Sequence, residues 1–168
     1  MQVIYLNEKI TKLETTPVLT VEELREHLRV PHQLDDGYIA ELVEAATAYA
    51  ERYTNRFLKR RRITASFALE KGIVKLRGSE ISEFKALDLQ GNIVPCLMKR
   101  MKAELLKPAT EISYESGYYT TEVPADIKAA LKLLVGSLYI QRADVSVGVQ
   151  YYKCALTADK LLQFYKLP

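Results

Sequence analysis

Residues that could perform acid–base or metal chemistry are few in this chain. It has two histidines, His27 and His32, and two cysteines, Cys96 and Cys154. His27 follows Glu23 by one helical turn, so these two side chains can form an ion pair. No further carboxylate or cysteine stands at the spacing of metal ligands. The cysteines lie far apart and outside any CxxC pattern, which predicts reduced thiols rather than a disulfide.

Sequence motifs of the common enzyme classes are also missing. The glycines are scattered and form no phosphate-binding loop, and there is neither a GxSxG motif nor a Cys–His signature. The adjacent carboxylates Asp35 and Asp36 are better explained as the cap of a following helix. We therefore predict no catalytic residues, no metal site, no cofactor and no enzymatic activity.

Positive charge is concentrated in the middle of the chain. Residues 1–58 hold 6 Lys/Arg and 10 Asp/Glu, residues 59–110 hold 12 and 5, and residues 111–168 hold 6 of each. Such asymmetry indicates a basic surface, which either meets an acidic or nucleic-acid partner or is simply solvated. The two basic sets lack the aromatic interleaving of a single-strand binder. They are Lys59, Arg60, Arg61 and Arg62, and Lys99, Arg100 and Lys102.

Hydrophobic periodicity predicts the elements that position these residues. Helical spacing recurs at about 21–29, 36–58, 124–142 and 157–166. Between the second and third stretches, residues 62–116 alternate with a period of two around turn signals such as Lys71-Gly72 and Gly91-Asn92. We predict an α+β fold that is mainly α, a small helical bundle with a small antiparallel β insert. Residues 1–19 are predicted to be an N-terminal extension and residues 20–168 a single domain.

The third helical stretch, "EVPADIKAALKLLVGSLYIQR", is apolar on two sides. One stripe contains Ile127, Leu131, Leu134 and Leu138, whereas a surface helix of a monomer needs only one. Either the helix is buried on both sides inside its own bundle, or the second stripe packs on a neighbouring copy. The second stripe consists of Ala129, Leu133, Gly136 and Ile140.

The final stretch, "LTADKLLQFYKLP", is also unusually apolar for a chain end. It either docks on its own bundle or lies in the groove of a partner, as amphipathic helices do. The candidate docking residues are Leu161, Leu162, Phe164, Tyr165 and Lys166.

Features of membrane and secreted proteins are missing from the sequence. No apolar run approaches the ~20 residues that span a bilayer. The start of the chain, "MQVIYLNEKITKLE", lacks the basic and apolar regions of a signal peptide. We therefore expect no membrane contact and assembly in a cytoplasm.

Residues 114–148 resemble the head–tail connector (adaptor) proteins of long-tailed bacteriophages. The stretches "TVEELREHLRV", "IAELVEAATAYAERYTNRFL" and "ALTADKLLQFYKL" are similar to the first two helices and the terminal helix of that family, so the resemblance runs in order over residues 20–166. Three departures are the sequence Ser137–Ile140, the extension of residues 1–18 beyond the usual start of the family, and the absence of a proline leading the last helix. The matching positions in 114–148 are Tyr114, Gly117, Tyr118, Val123, Pro124, Ile127, Lys128, Ala130, Leu133, Leu134, Val135, Gly136 and Tyr139.

The resemblance implies a structural virion protein of the neck. Connectors of this family form rings, here expected to contain twelve copies, that bind the portal protein above and a stopper or tail-completion protein below. Double-stranded DNA passes through the lumen with non-specific contacts. The second stripe of residues 124–142 would then be a subunit interface, the basic sets would face the channel or a partner, and residues 157–168 would dock on the portal.

An alternative interpretation stays open at this point. The chain could be a small helical nucleic-acid-binding or regulatory protein that uses its basic middle segment. A monomer or dimer with steeply salt-dependent DNA binding would favour this alternative, and an oligomeric ring with weak DNA binding would favour the connector.

Overall fold

The chain folds into two compact units. The structure, a computed structural model, describes residues 5–99, 101–141 and 157–167. The first unit, called here the β unit, combines Met1–Thr15 with Lys59–Tyr119, and the second, the helical unit, combines Thr16–Leu58 with Thr120–Pro168. Each unit is thus assembled from two separate stretches of sequence.

The strands that the structure describes form two antiparallel sheets in the β unit. The larger sheet has the order β1-β2-β7-β4 and the smaller has the order β3-β6-β5, when the strands are numbered along the chain. Their bounds are β1 (Tyr5–Lys12), β2 (Arg61–Glu70), β3 (Ile73–Lys75), β4 (Ser82–Leu87), β5 (Cys96–Lys99), β6 (Lys102–Leu105) and β7 (Ala109–Ser116).

Alternating side chains of β2 and β7 build the core of the larger sheet. Ile63 and Ala65 lie opposite Tyr114 and Ile112, and all four are buried. They share one face because successive side chains of a strand point to opposite sides. The Tyr114 hydroxyl accepts a hydrogen bond from the backbone N–H of Arg77 at 2.9 Å, and burial raises its pKa. The buried hydroxyl of Tyr114 is therefore satisfied.

A single aspartate orders the turn after β4. The Asp88 carboxylate accepts hydrogen bonds from the backbone and side-chain amides of Asn92, at 2.9 and 3.1 Å. The backbone hydrogen bond is the main cause that lowers the pKa of Asp88. Gly91 has a φ of 81°, a conformation that glycine adopts without strain. This fixed turn holds Leu89 and Ile93 in an exposed position.

A buried arginine lies where the chain enters β2. The Arg60 guanidinium is 3.2 Å from the Glu115 carboxylate and donates to the carbonyl of Gly117 and the hydroxyl of Ser82. Arg62 approaches the second oxygen of Glu115 at 2.6 Å. The hydrogen bond from Arg62 is the main cause that lowers the pKa of Glu115, and the bond from Arg60 acts in the same direction. Arg60, Arg62 and Glu115 are called the arginine–glutamate cluster below.

The backbone of Arg60 extends this cluster to the N-terminal strand. Its carbonyl accepts hydrogen bonds from the N–H groups of Leu13 and Glu14, at 3.0 and 3.1 Å. Its guanidinium carbon lies 4.5 Å from the centre of the Tyr119 ring, within the range of a cation–π contact. Arg60 therefore contacts the segment after β1, the segment after β7 and the first residue of β4.

The helical unit contains four α-helices among the described residues. The first of them begins with a capping box, in which the Thr20 hydroxyl accepts from the N–H of Glu23 and the Glu23 carboxylate accepts from the N–H of Thr20. A short 3-10 helix spans Thr120–Glu122. The α-helices are α1 (Val21–Leu28), α2 (Asp36–Thr54), α3 (Ala125–Ile140) and α4 (Ala158–Gln163).

The predicted fold class, a mainly α helical bundle with a small β insert, is wrong. The β unit is a second structural body with two sheets, and strand β1 adds the N-terminal segment to the larger of them. The helices are shorter than predicted. In particular α2 ends at Thr54, since Asn55 takes a left-handed conformation with φ 55°, so residues 55–58 are not helical. The predicted division into an extension of residues 1–19 and a single domain of residues 20–168 stays a prediction.

We expect Glu115→Gln to destabilise the β unit by on the order of 3 kcal/mol at pH 7, because it leaves the buried Arg60 without its carboxylate. A carboxylate with a lowered folded-state pKa contributes stability above its unfolded pKa, about 4.3, and this contribution disappears as the pH falls through the folded-state pKa. The difference between the variant and the parent in urea unfolding should therefore begin to shrink as the pH falls below about 4.3, and it should be lost as the pH passes through the folded-state pKa.

The control for this experiment is Glu111→Gln, which changes a partly exposed glutamate of the same strand. Its effect should stay within about 0.5 kcal/mol. An equal loss from both variants, or a difference between Glu115→Gln and the parent that is unchanged at pH 3, would contradict the role given to the cluster.

Candidate functional site

Groups that could hold a metal are absent from the part of the chain that the structure describes. His27 and His32 are both exposed in the helical unit. Cys96 is a free, partly buried thiol whose pKa is raised by burial, and Cys154 lies outside the described residues.

Helix α3 has one buried face and one exposed apolar face. The buried face includes Ile127, Leu131 and Val135. On the opposite side Leu133 is 40% exposed and Ile140 is 81% exposed. Ala129, a third member of the predicted second stripe, is also exposed. These three residues, Ala129, Leu133 and Ile140, are called the α3 outer face below.

Gly136, the fourth member of that stripe, lies beside α1. A Cβ atom placed on Gly136 would be 3.8 Å from Cδ2 of Leu28 and 3.9 Å from Nε2 of His27. These are ordinary contact distances, so a methyl group fits, but a longer side chain would meet α1. Gly136 is therefore a contact position within the helical unit at the edge of the α3 outer face.

The first basic set does not form one exposed cluster. Lys59 and Arg60 are each only 8% exposed, and Arg61 is partly exposed. Arg62 is exposed but binds Glu115. Two of the four basic side chains in this set, Arg60 and Arg62, therefore pair with a carboxylate of the β unit. The assignment of this set to a channel or a partner stays a prediction, carried mainly by Arg62.

The second basic set belongs to a row of lysines that crosses the smaller sheet. Lys102 of β6 lies directly opposite Lys75 of β3 on one side and Lys99 of β5 on the other. All three are exposed, and directly opposite residues point to the same face of a sheet. Lys99 also lies 3.4 Å from Glu104. Residues Lys75, Lys99 and Lys102 are called the lysine row; Arg100 lies outside the described residues.

Sequence analysis missed Lys75 as a member of this row. Like charges directly opposite each other destabilise a sheet, so a row of three lysines lowers the stability of the smaller sheet. A pairing register for β3 and β6 would have revealed the row, but residues 75 and 102 are separated along the chain by the strands β4 and β5 and their connections. The partners of Glu115 were missed for the same reason.

Helix α4 is fixed to its own unit. Leu162 is fully buried, the Tyr49 hydroxyl donates to Asp159 at 2.8 Å, and the N–H of Leu167 donates to the carbonyl of Thr54 at 2.9 Å. The carboxylate of Asp159 is the main cause that raises the pKa of Tyr49.

The remaining residues of the predicted portal-docking set are divided. Leu161 and Tyr165 are partly buried, and the ammonium of Lys166 lies 5.4 Å from the centre of the Tyr53 ring. Phe164 is different, because it is 86% exposed at the end of α4. Of this set, Phe164 presents most apolar surface to solvent.

The comparisons with known proteins agree with the resemblance stated from the sequence. Residues 18–85 match the family of phage gp6-like head–tail connector proteins. This match covers α1, α2 and β2–β3 and most of β4, so it confirms the resemblance on a part of the chain other than residues 114–148. No curated protein matches the chain.

Solved structures match this chain over nearly its whole length. One chain is from the "Neck of empty GTA particle computed with C6 symmetry", with 19% identity, a TM-score of 0.68, and coverage of 94% of this chain and 95% of the other. A second is from the "Neck of native GTA particle computed with C12 symmetry", with 18% identity, a TM-score of 0.67 and coverage of 94% of both. In these descriptions GTA denotes a gene transfer agent. At this identity the match establishes a shared fold.

None of the helices in the described residues is both long and apolar enough to cross a membrane.

We expect Leu162→Ala to lower the free energy of unfolding by about 2–5 kcal/mol, because it leaves a cavity under α4. Phe164→Ala, two residues away on the exposed side, should change it by less than about 0.5 kcal/mol. Chemical denaturation followed by circular dichroism measures both. Equal effects would mean that α4 is not anchored through Leu162.

Proposed function

We propose that this chain is a structural head–tail connector of a phage-like particle, located in the neck of the virion. The observation that carries the proposal is the family match over residues 18–85, together with the fold shared with chains from gene transfer agent necks. The role is mechanical and does not involve catalysis. Assembly takes place in the host cytoplasm, before or as the tail joins the head.

The proposed working form is a homo-oligomeric ring of twelve copies. The matched particles have necks described with C6 and C12 symmetry, which supports cyclic assembly with an even number of subunits. A ring needs heterologous contacts, in which one face of each subunit meets a different face of the next. The α3 outer face is the surface that we propose for one side of this contact, because Leu133 and Ile140 expose large apolar side chains along one stripe.

The lysine row is the proposed contact with double-stranded DNA in the lumen. Three exposed ammonium groups on one sheet face attract phosphate without reading bases. A modest number of such contacts suits a channel, since many would hold the DNA in place. The same row also favours the alternative function of a nucleic-acid-binding protein, and oligomeric state separates the two.

The proposed partners on the ring axis are the portal protein and a stopper or tail-completion protein. Phe164 is the residue that we propose for the portal contact, because an aromatic side chain with this exposure is a typical interface anchor. Among the remaining candidates, Leu162 anchors α4 to the helical unit, Leu161 and Tyr165 are partly exposed, and the exposed Lys166 lies over the Tyr53 ring.

The proposed function is tested by imaging the purified protein, which should form closed rings. Leu133→Asp should reduce the ring fraction at least about tenfold, because a loss of ~1.4 kcal/mol per contact is a factor of ten and a ring repeats it. The control Gln33→Asp adds the same charge at an exposed position outside α3. Negative-stain images and mass photometry measure the outcome, and rings that survive Leu133→Asp would remove α3 from the interface. A parent protein that stays monomeric, and binds DNA tightly, would support the alternative.

We expect the double change Lys99→Gln and Lys102→Gln to keep or raise stability by about 0.2–1 kcal/mol, because it removes like charges that face each other. The same change should lower the salt dependence of duplex binding by the release of about two counterions. Thermal unfolding and a salt titration of a labelled duplex measure the two effects.

The control is Lys9→Gln with Lys12→Gln, which removes two exposed lysines from β1. This pair should leave the salt dependence unchanged. A lysine-row variant with the parent's salt dependence would exclude the row from DNA contact.

A further inference from the structure

The exposed side of α2 carries small and acidic residues, whereas the exposed side of α3 carries large apolar residues. Gly37, Ala45 and Ala48 lie on it, all small and exposed or partly exposed. A Cβ atom on Gly37 would meet nothing within 4 Å, so the helix surface there is open. Glu41 and Glu44 are exposed on the same side. These five residues are called the α2 outer face below.

The α3 outer face is complementary to this surface in size. Leu133 and Ile140 project large side chains, and a helix pair packs closely when large side chains on one helix meet small residues on the other. Two copies of the α3 outer face would instead bring large side chains against each other. Two copies of the α2 outer face would bury little apolar area.

The two faces are also complementary in charge. Lys128 and Lys132 are partly exposed, lie one turn apart, and flank Ala129 and Leu133 on α3. They would meet Glu41 and Glu44, whereas pairing like faces would set lysine against lysine or glutamate against glutamate. The other charged residue exposed along this side of α2 is Arg52, about two turns beyond Glu44. Asp126 is exposed near the start of α3.

We propose that the α3 outer face of one copy packs on the α2 outer face of the next copy. This inference rests on the proposed ring, and it names the second surface of the subunit contact. Because the two surfaces are different, the contact is heterologous, and it closes into a ring when the rotation between copies permits. Both surfaces belong to the helical unit, so that unit alone carries the contact.

Charge reversal tests this pairing directly. In one variant Lys128 and Lys132 become Glu, and in the other Glu41 and Glu44 become Lys. Each variant alone sets like charges at every contact, so its ring fraction should fall at least about tenfold, the effect of ~1.4 kcal/mol. In a 1:1 mixture every alternating contact joins opposite charges. The mixture should therefore form rings that contain equal numbers of the two chains and an even total, as read by native mass spectrometry.

A chain with all four changes should also form rings by itself, because both sides of its contact are exchanged. Circular dichroism of each variant verifies folding, and the neutral variant Lys128→Gln with Lys132→Gln gives a milder test in which assembly becomes less sensitive to salt. Full assembly of either reversed variant alone would overturn the pairing, as would a mixture and a four-change chain that are folded but stay monomeric. A parent chain without rings would instead contradict the proposed function itself.

Discussion

The β unit depends on the placement of one guanidinium group in its interior. A charged arginine can be buried only when a carboxylate and further acceptors surround it, and Arg60 has Glu115, a backbone carbonyl and a serine hydroxyl. These partners come from β7, the segment after it, and the start of β4. The Arg60 carbonyl also binds the segment after β1. Through these hydrogen bonds the cluster joins the start of β2 to the ends of β1 and β7 and to the start of β4. The apolar core does not supply these polar contacts.

Local signals in the sequence predict local features of the structure well. Thr20 and Glu23 have the spacing of a capping box and form one, and the turn at Gly91-Asn92 lies where the sequence predicts it. Lys71-Gly72 also separates two strands, but β2 and β3 belong to different sheets and form no hairpin. The pattern fails where the deciding contact is distant along the chain. Segment 5–12 becomes an eight-residue strand only because β2, about fifty residues later, offers it an edge. The run of four basic residues at 59–62 predicts an exposed basic surface. Arg60 is nevertheless buried, because its guanidinium pairs with the carboxylate of Glu115, which is distant along the chain.

Periodicity also shows that a helix has two apolar faces without showing which one is inside. On α3 the large residues Ile127 and Leu131 are buried, while the equally apolar Leu133 and Ile140 are exposed. Gly136 contacts α1, although spacing alone places it with the exposed residues. The difference is decided by which helices pack against α3, and that information is held in other segments. The sequence therefore predicts the stripe of the candidate interface, but it does not predict that Gly136, at the edge of this stripe, contacts α1.

The two edges of the larger sheet have a consequence for contacts between separate molecules of the protein. β1 and β4 are the outermost strands, and each has an extra residue relative to its inner neighbour, at Tyr5/Asn7 and at Ser82/Lys85. Exposed lysines lie on both, Lys9 and Lys12 on one and Lys85 on the other. Bulges and lysines at sheet edges hinder unintended hydrogen bonding between strands of separate molecules. Molecules that meet at high concentration can therefore touch through side chains while the open edges of their sheets resist growth into aggregates.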